Sequence, residues 1–252
     1  MLRSVRHRSA AGAVAILAVS TLASCGGDDG DTAITVLAAS SLSGTFTRLG
    51  QEFKAQHPGV SVKFAFDSSA TLAQQATQGA PADVLATADT DTMDSATSAQ
   101  ASRPEAFATN VMVLATPASN TANIQSLSDL DKPSVKFVVC VPTAPCGKIG
   151  QALLDENHIT GTPVSQEVDV KSVLAKLTEG EADAGFVYAT DVVAAGHQVS
   201  ALRIPGSAKH VTTYPIVALE QSKHPDLAEQ FVDLVTGSAG QQVLQDAGFG
   251  KP

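Results

Sequence analysis

The chain has 252 residues, of which 44% are hydrophobic, and its mean hydropathy is +0.10. This length is enough for one large domain or two lobes of roughly 100 to 120 residues each, and the composition excludes a disordered chain. The 25 Asp and Glu residues outnumber the 16 Lys and Arg residues. This balance argues against a nucleic-acid-binding protein, which needs a basic face.

The first 24 residues have the pattern of a secretory signal peptide. Three arginines precede the apolar stretch AAGAVAILAVSTLAS, and the string LASC ends at Cys25. A basic start and a short apolar run are typical of such signals. LASC also resembles a lipobox, in which the Cys is lipidated and becomes the new N-terminus. We therefore expect a signal peptide over 1–24 and a lipidated Cys25 with a flexible tether over 25–32; an ordinary signal peptide or a short membrane anchor are the alternatives.

This processing predicts an extracytoplasmic protein that is lipid-anchored to the outer face of the cell membrane. Its contact with the membrane is expected to be only through the lipid. Without residues 1–24 the chain keeps 13 Lys and Arg against 25 acidic residues, a net charge of −12. That charge does not exclude an anionic ligand, because a site built from local dipoles is insulated from distant, screened surface charges.

After the tether, apolar runs of strand length alternate with segments of helical pattern. The predicted strands are 34–39, 60–66, 83–88, 110–115, 137–141, 184–188 and 215–219. The predicted helices are 42–57, 70–79, 90–100, 147–158, 170–180, 225–236 and 238–248. Such alternation predicts an α/β protein with mostly parallel sheets flanked by helices.

The runs 110–117 and 212–219 are candidates for two strands that cross between lobes. They predict a first lobe made of residues 33–110 plus 216–252 and a second lobe, inserted into the first, made of residues 111–215. The two crossing strands would act as hinges. No linker composition marks these limits.

Cys140 and Cys146 have five residues between them in the Pro-rich string VVCVPTAPCG. In an oxidising compartment such a pair favours a disulfide that closes a short loop, and two free thiols are the alternative. A zinc site would need two more ligands nearby, and the histidines are scattered, so we expect no metal site.

Two strand-to-helix junctions end in serine pairs with no Lys or Arg beside them. TVLAASSL contains Ser41, and KFAFDSSATL contains Ser69. Helix N-termini carry unpaired N–H groups and a partial positive charge, and so bind anions without a cation. Because parallel sheets bring ligands to the carboxyl ends of their strands, Cys146, Val170 and Tyr188 are further candidates. Together these residues indicate a cage for a small oxyanion.

Several longer strings resemble the periplasmic molybdate-binding protein family, the receptor component of ABC-type molybdate importers. They occur in the family's order over residues 34–249: ITVLAASSL, FDSSATLAQQATQGAPADVLATAD, VPTAPCGKIGQAL, DVKSVLAKLTEGEADAGFVYATD, YPIVAL and GQQVLQDAGF. The resemblance implies a two-lobed fold of the type II periplasmic-binding-protein kind. It also implies a monomer that hands a small oxyanion to an ABC permease, that needs no cofactor and that is not an enzyme.

The resemblance implies a ligand set of five residues. Ser41 and Ser69 would use hydroxyl and backbone donors, Cys146 and Val170 would use backbone N–H groups, and Tyr188 would use its phenol. The bound species would be molybdate, and tungstate as well, with molybdenum held only as the oxyanion. No residue in this set is cationic.

A cage made only of donors discriminates among oxyanions by their protonation. Phosphate keeps a proton at neutral pH and needs an acceptor, whereas molybdate, tungstate and sulfate need donors only. Asp67 and Asp169 are the acids that could reverse this inference. There are two alternative functions. One is a receptor for another oxyanion such as sulfate, and the other is an extracytoplasmic anion-dependent enzyme on the same fold. No G-x-S-x-G, HExxH or Walker-type loop supports the enzyme.

Overall fold

The computed structural model describes residues 32–252. The predicted signal peptide over 1–24, the lipidated Cys25 and all but the last residue of the predicted tether lie outside the described residues. Among residues 32–252, none of the helices is both long and apolar enough to cross a membrane.

The chain forms two five-stranded sheets of similar topology. The first sheet has the order β2-β1-β3-β10-β4, with β1 at Thr32–Ala39, β2 at Val60–Asp67, β3 at Val84–Ala86, β4 at Glu105–Asn110 and β10 at Thr212–Ala218. The second has the order β7-β6-β8-β5-β9, with β5 at Met112–Pro117, β6 at Phe137–Cys140, β7 at Ser165–Glu167, β8 at Ala184–Tyr188 and β9 at Val199–Arg203.

In each sheet one strand runs against the other four. β10 is antiparallel to both of its neighbours in the first sheet, and β5 is antiparallel to both of its neighbours in the second. The remaining pairs are parallel. The prediction of mostly parallel sheets is therefore confirmed, with one reversed strand in each.

Eight helices flank the sheets within the described part of the chain. They are α1 at Ser43–Gln56, α2 at Ser69–Thr77, α3 at Thr90–Ser95, α4 at Pro145–Glu156, α5 at Val170–Thr178, α6 at Ala189–Ala195, α7 at Pro225–Thr236 and α8 at Ser238–Asp246. The helix α6 is absent from the sequence prediction, and the other seven match predicted segments.

Each sheet has its own hydrophobic core. The first includes Phe231, whose ring meets those of Phe46 and Phe53 edge to face at centroid distances of 6.0 and 5.5 Å. Phe46 and Phe53 lie at helical spacing on α1, so one face of this helix packs on the sheet. The core of the second sheet includes Phe137 and Phe186. We call the two sheets with their helices lobe 1 and lobe 2.

The chain passes between the sheets twice. Val111 alone separates β4 of the first sheet from β5 of the second, and residues 204–211 lead back from β9 to β10. The strand order shows which strands share a sheet but does not fix where a domain begins or ends. The predicted limits therefore stay a prediction: 33–110 plus 216–252 for the first lobe and 111–215 for the second.

Candidate functional site

The carboxyl ends of six parallel strands meet at one small cavity. Its walls come from the segments that follow β1, β2 and β3 in lobe 1 and β6, β7 and β8 in lobe 2. All five predicted site residues line it and are buried: Ser41, Ser69, Cys146, Val170 and Tyr188. The other lining residues are Ala39, Ser40, Asp67, Ser68, Ala88, Ala144, Pro145 and Asp169. No Lys, Arg or His is among them.

The two serines present hydroxyl groups from lobe 1. Ser41 lies in a short 3-10 turn that joins β1 to α1, and Ser69 is the first residue of α2. The Ala88 N–H donates to Ser69 Oγ at 2.9 Å. Because that oxygen accepts a bond from the protein, the Ser69 proton is free to point into the cavity.

Lobe 2 contributes backbone donors from two helix N-termini. Cys146 follows Pro145 in the first turn of α4, and Val170 is the first residue of α5. N–H groups in a first turn have no acceptor inside their own helix. They carry the partial positive charge of the helix dipole, so both are suited to an anion.

Tyr188 contributes the one phenol of the cavity. Its side chain is 1% exposed, and its hydroxyl has no hydrogen-bond partner among residues 32–252. Burial raises the pKa of this phenol well above its ordinary value. The group therefore remains a protonated donor, and a buried donor without a partner is costly unless a ligand accepts from it.

The two acids of the cavity are engaged by backbone donors. Asp67 Oδ1 accepts the Ser68 N–H at 2.6 Å, and Asp169 Oδ1 accepts the Ser172 N–H at 2.8 Å as the N-cap of α5. Both carboxylates thus bond to the main chain of their own lobe. The hydrogen bond that each carboxylate accepts through Oδ1 stabilises its charge and reduces the cost of an anion nearby.

The cations that neighbour the site in sequence are neutralised. Lys171, next to Val170, places Nζ 2.8 Å from Oδ1 of the fully buried Asp191. Burial raises the pKa of the Asp191 carboxyl, and the facing Lys171 opposes that rise. Lys148 places Nζ 3.1 Å from Asp89 Oδ2, a contact from lobe 2 to lobe 1. Both cations are therefore paired with acids, and neither lines the cavity.

The cavity suits a small compact ion. About 10 Å³ of it is open to the centre of a water-sized sphere, which is far below the several hundred Å³ of sites for organic ligands. A cavity of about 220 Å³ lies nearby, but Val193, Ala194, Val243 and Phe249 form much of its wall. Arg48 and Lys171 also line it, so its wall, unlike that of the small cavity, includes cations.

A disulfide closes the loop beside the site. Cys140, the last residue of β6, is bonded to Cys146 of α4. The bond fixes Cys146, which lines the cavity, to the end of β6. Residues 32–252 contain no group of three or more His, Cys, Asp or Glu side chains placed to share a metal ion.

Four residues around the site are missing from the sequence prediction. Tyr214 and Asn110 lie behind Ser41, and Lys171 and Asp191 lie behind Val170 and Tyr188. The only sequence signal is the position of Asn110 and Tyr214 in the two predicted crossing runs. The Ser41–Tyr214 contact spans 173 residues, and no local pattern could reveal it.

Residues 34–250 match a family described as bacterial extracellular solute-binding proteins. The chain belongs to that family. It is a solute-binding protein and not an enzyme, so the enzyme alternative is set aside.

Relatives and solved structures extend this result. The chain is 43% identical to the molybdate-binding protein ModA of Mycobacterium tuberculosis, over 96% of this chain and 97% of the relative. It is similar to the solved periplasmic molybdate-binding protein of Azotobacter vinelandii, with a TM-score of 0.78, 21% identity and coverage of 87% and 99%. It also resembles the sulfate-binding protein SubI of Mycobacterium tuberculosis, with a TM-score of 0.74, 18% identity and 86% coverage of both chains. At these identities the two solved structures establish the fold alone.

Proposed function

We propose that the protein captures molybdate, and tungstate as a close analogue, outside the cytoplasm and delivers it to the membrane permease of an ABC transporter. The two lobes close on one oxyanion, which is held through Ser41, Ser69, Cys146, Val170 and Tyr188. Molybdenum enters only as the oxyanion, so the ligand is cargo and not a cofactor. No covalent bond is made or broken.

One observation carries this proposal: both lobes line a small buried cavity with serine, tyrosine and helix first-turn residues, and no Lys, Arg or His is in its wall. Hydrogen bonds to a dianion are charge-assisted and strong in a dry site, so they can replace its hydration shell. The 43% identical relative that is named as molybdate-binding favours molybdate among the oxyanions that lack a proton.

Capture by a single chain follows from the same geometry. All the walls of the cavity belong to one copy of the protein, so a monomer is sufficient for binding. Anchoring through a lipid on Cys25 would keep that monomer beside the permease. A Cys25→Ala variant released from the membrane fraction of cells would support the anchor, whereas a variant that stays in that fraction would contradict it.

A thermal-shift titration tests the choice of ligand. A ligand that binds only the folded state at 100 times its Kd adds about 2.7 kcal/mol, which corresponds to a rise of about 5 to 10 °C in Tm at this chain length. We expect molybdate and tungstate to produce this rise at micromolar concentration, and phosphate to produce none. A shift with sulfate or phosphate but not with molybdate would overturn the proposal.

A further inference from the structure

Each of the two serines of the cavity has its Oγ in a hydrogen bond with another group of the protein. The donor in that bond is certain for Ser69 but not for Ser41. Ser69 Oγ accepts the Ala88 N–H, and a backbone N–H can only donate. The direction of that bond is therefore fixed. Ser41 Oγ lies 3.0 Å from Tyr214 Oη, and either hydroxyl could donate to the other on distance alone.

Asn110 favours one direction of the Ser41–Tyr214 bond, in which Tyr214 donates. The Val111 N–H donates to Asn110 Oδ1 at 3.0 Å, so the other amide atom must be Nδ2. Nδ2 donates to Thr190 Oγ1 at 2.8 Å and lies 3.5 Å from Tyr214 Oη. An amide nitrogen cannot accept, so Tyr214 Oη is the acceptor there, and its own proton remains for Ser41.

We propose that Tyr214 is a positioning residue for the oxyanion site: it donates to Ser41 Oγ and thereby leaves the Ser41 proton to the ligand. Asn110 holds Tyr214 in this role. The inference rests on the proposed function, because it concerns how Ser41 meets an anion. With the bond reversed, Ser41 would turn oxygen lone pairs toward a dianion and weaken binding.

The surroundings of Tyr214 keep it a donor. The side chain is fully buried in lobe 1, and its ring packs edge to face on Phe107, Phe249 and Tyr188. Burial raises the pKa of Tyr214 above its ordinary value. Asn110 and Thr190 belong to different lobes, so the hydrogen-bonded chain from Thr190 to Ser41 connects lobe 2 to the part of the site that lobe 1 contributes.

A consequence for selectivity separates this role from a merely structural one. The Tyr214 proton takes one of the two lone pairs of Ser41 Oγ, which leaves Ser41 less able to accept the proton of hydrogen phosphate, so the pairing helps to reject that ion. Without the Tyr214 hydroxyl, both lone pairs of Ser41 Oγ are available to accept. The ratio of molybdate to phosphate affinity should then fall. A substitution that only made the site less rigid would not need to change this ratio.

A double-mutant cycle in the full protein tests the inference by titration calorimetry with molybdate and with phosphate. Tyr214→Phe should weaken molybdate binding by about 5- to 30-fold and lower the ratio of molybdate to phosphate affinity. In a Ser41→Ala background the same substitution should have little further effect, because its target is gone. The inference fails if Tyr214→Phe leaves both quantities unchanged, or if it costs as much without Ser41 as with it.

Two further outcomes are distinguishable. A wild-type protein that binds no molybdate overturns the proposed function, and this inference with it. A wild-type protein that binds normally while Tyr214→Phe has no effect overturns only the inference. Should Tyr214→Phe fail to fold, neutron diffraction of the wild-type protein decides the matter. It should show the Tyr214 deuterium directed at Ser41 Oγ, and the opposite orientation would refute the assignment.

Discussion

Val170→Pro is expected to keep the fold and lower molybdate affinity by about 10- to 150-fold, because it deletes one charge-assisted N–H donor worth about 1.5 to 3 kcal/mol. Val170 is the first residue of α5, where proline is favoured. The protein already has Pro145 and Pro225 at this position of α4 and α7. Asp169 has φ −151° and ψ 172°, an extended conformation that suits a residue before proline.

Val170→Ala is the matched control for this substitution. It removes buried side-chain carbons but keeps the N–H, so it should lower the free energy of unfolding by about 1 to 3 kcal/mol and leave affinity close to wild type. Calorimetric titration of both variants with molybdate measures the difference. Equal affinities for Val170→Pro and Val170→Ala would show that this N–H does not contact the ligand.

Tyr188→Phe is expected to change affinity and stability in opposite directions. The hydroxyl has no partner among residues 32–252, so removing it should raise the unfolding free energy of the ligand-free protein by about 1 kcal/mol or leave it unchanged. The same change removes a donor to the anion and should weaken molybdate binding by about 10- to 150-fold.

Thermal unfolding without ligand and calorimetric titration with molybdate test Tyr188→Phe together. A parallel loss of both quantities would mean that the hydroxyl supports the fold rather than the ligand. Unchanged affinity would remove Tyr188 from the site.

The interior strands of both sheets could be predicted from the sequence, whereas most edge strands could not. Predicted strand 184–188 matches β8, which is buried throughout. β4, β7 and β9 are missing from the prediction, and all three are edge strands. Edge strands depend on hydrogen bonds to one neighbour and need no continuous apolar run, so periodicity alone does not reveal them. Helix α6 follows β8 directly, without a turn residue to mark its start.

The site, too, could be predicted only where its residues follow a local pattern in the sequence. Residues that follow apolar runs, such as Ser41, Ser69 and Tyr188, are visible because topology brings strand ends together. The residues that orient them are not visible, because Asn110 and Tyr214 reach Ser41 only through contacts over 100 residues apart in the chain. Tyr214 in particular has no feature in its own segment that distinguishes it from a core tyrosine.

A crystal structure with tungstate bound is the most direct test of the cage, because tungsten is located by its anomalous scattering. The peak should lie in the small cavity, with ligand oxygens within hydrogen-bonding distance of Ser41, Ser69, Cys146, Val170 and Tyr188 and of no Lys or Arg side chain. A peak in the larger cavity beside Arg48, or an anion bound by a cationic side chain, would contradict an all-donor cage.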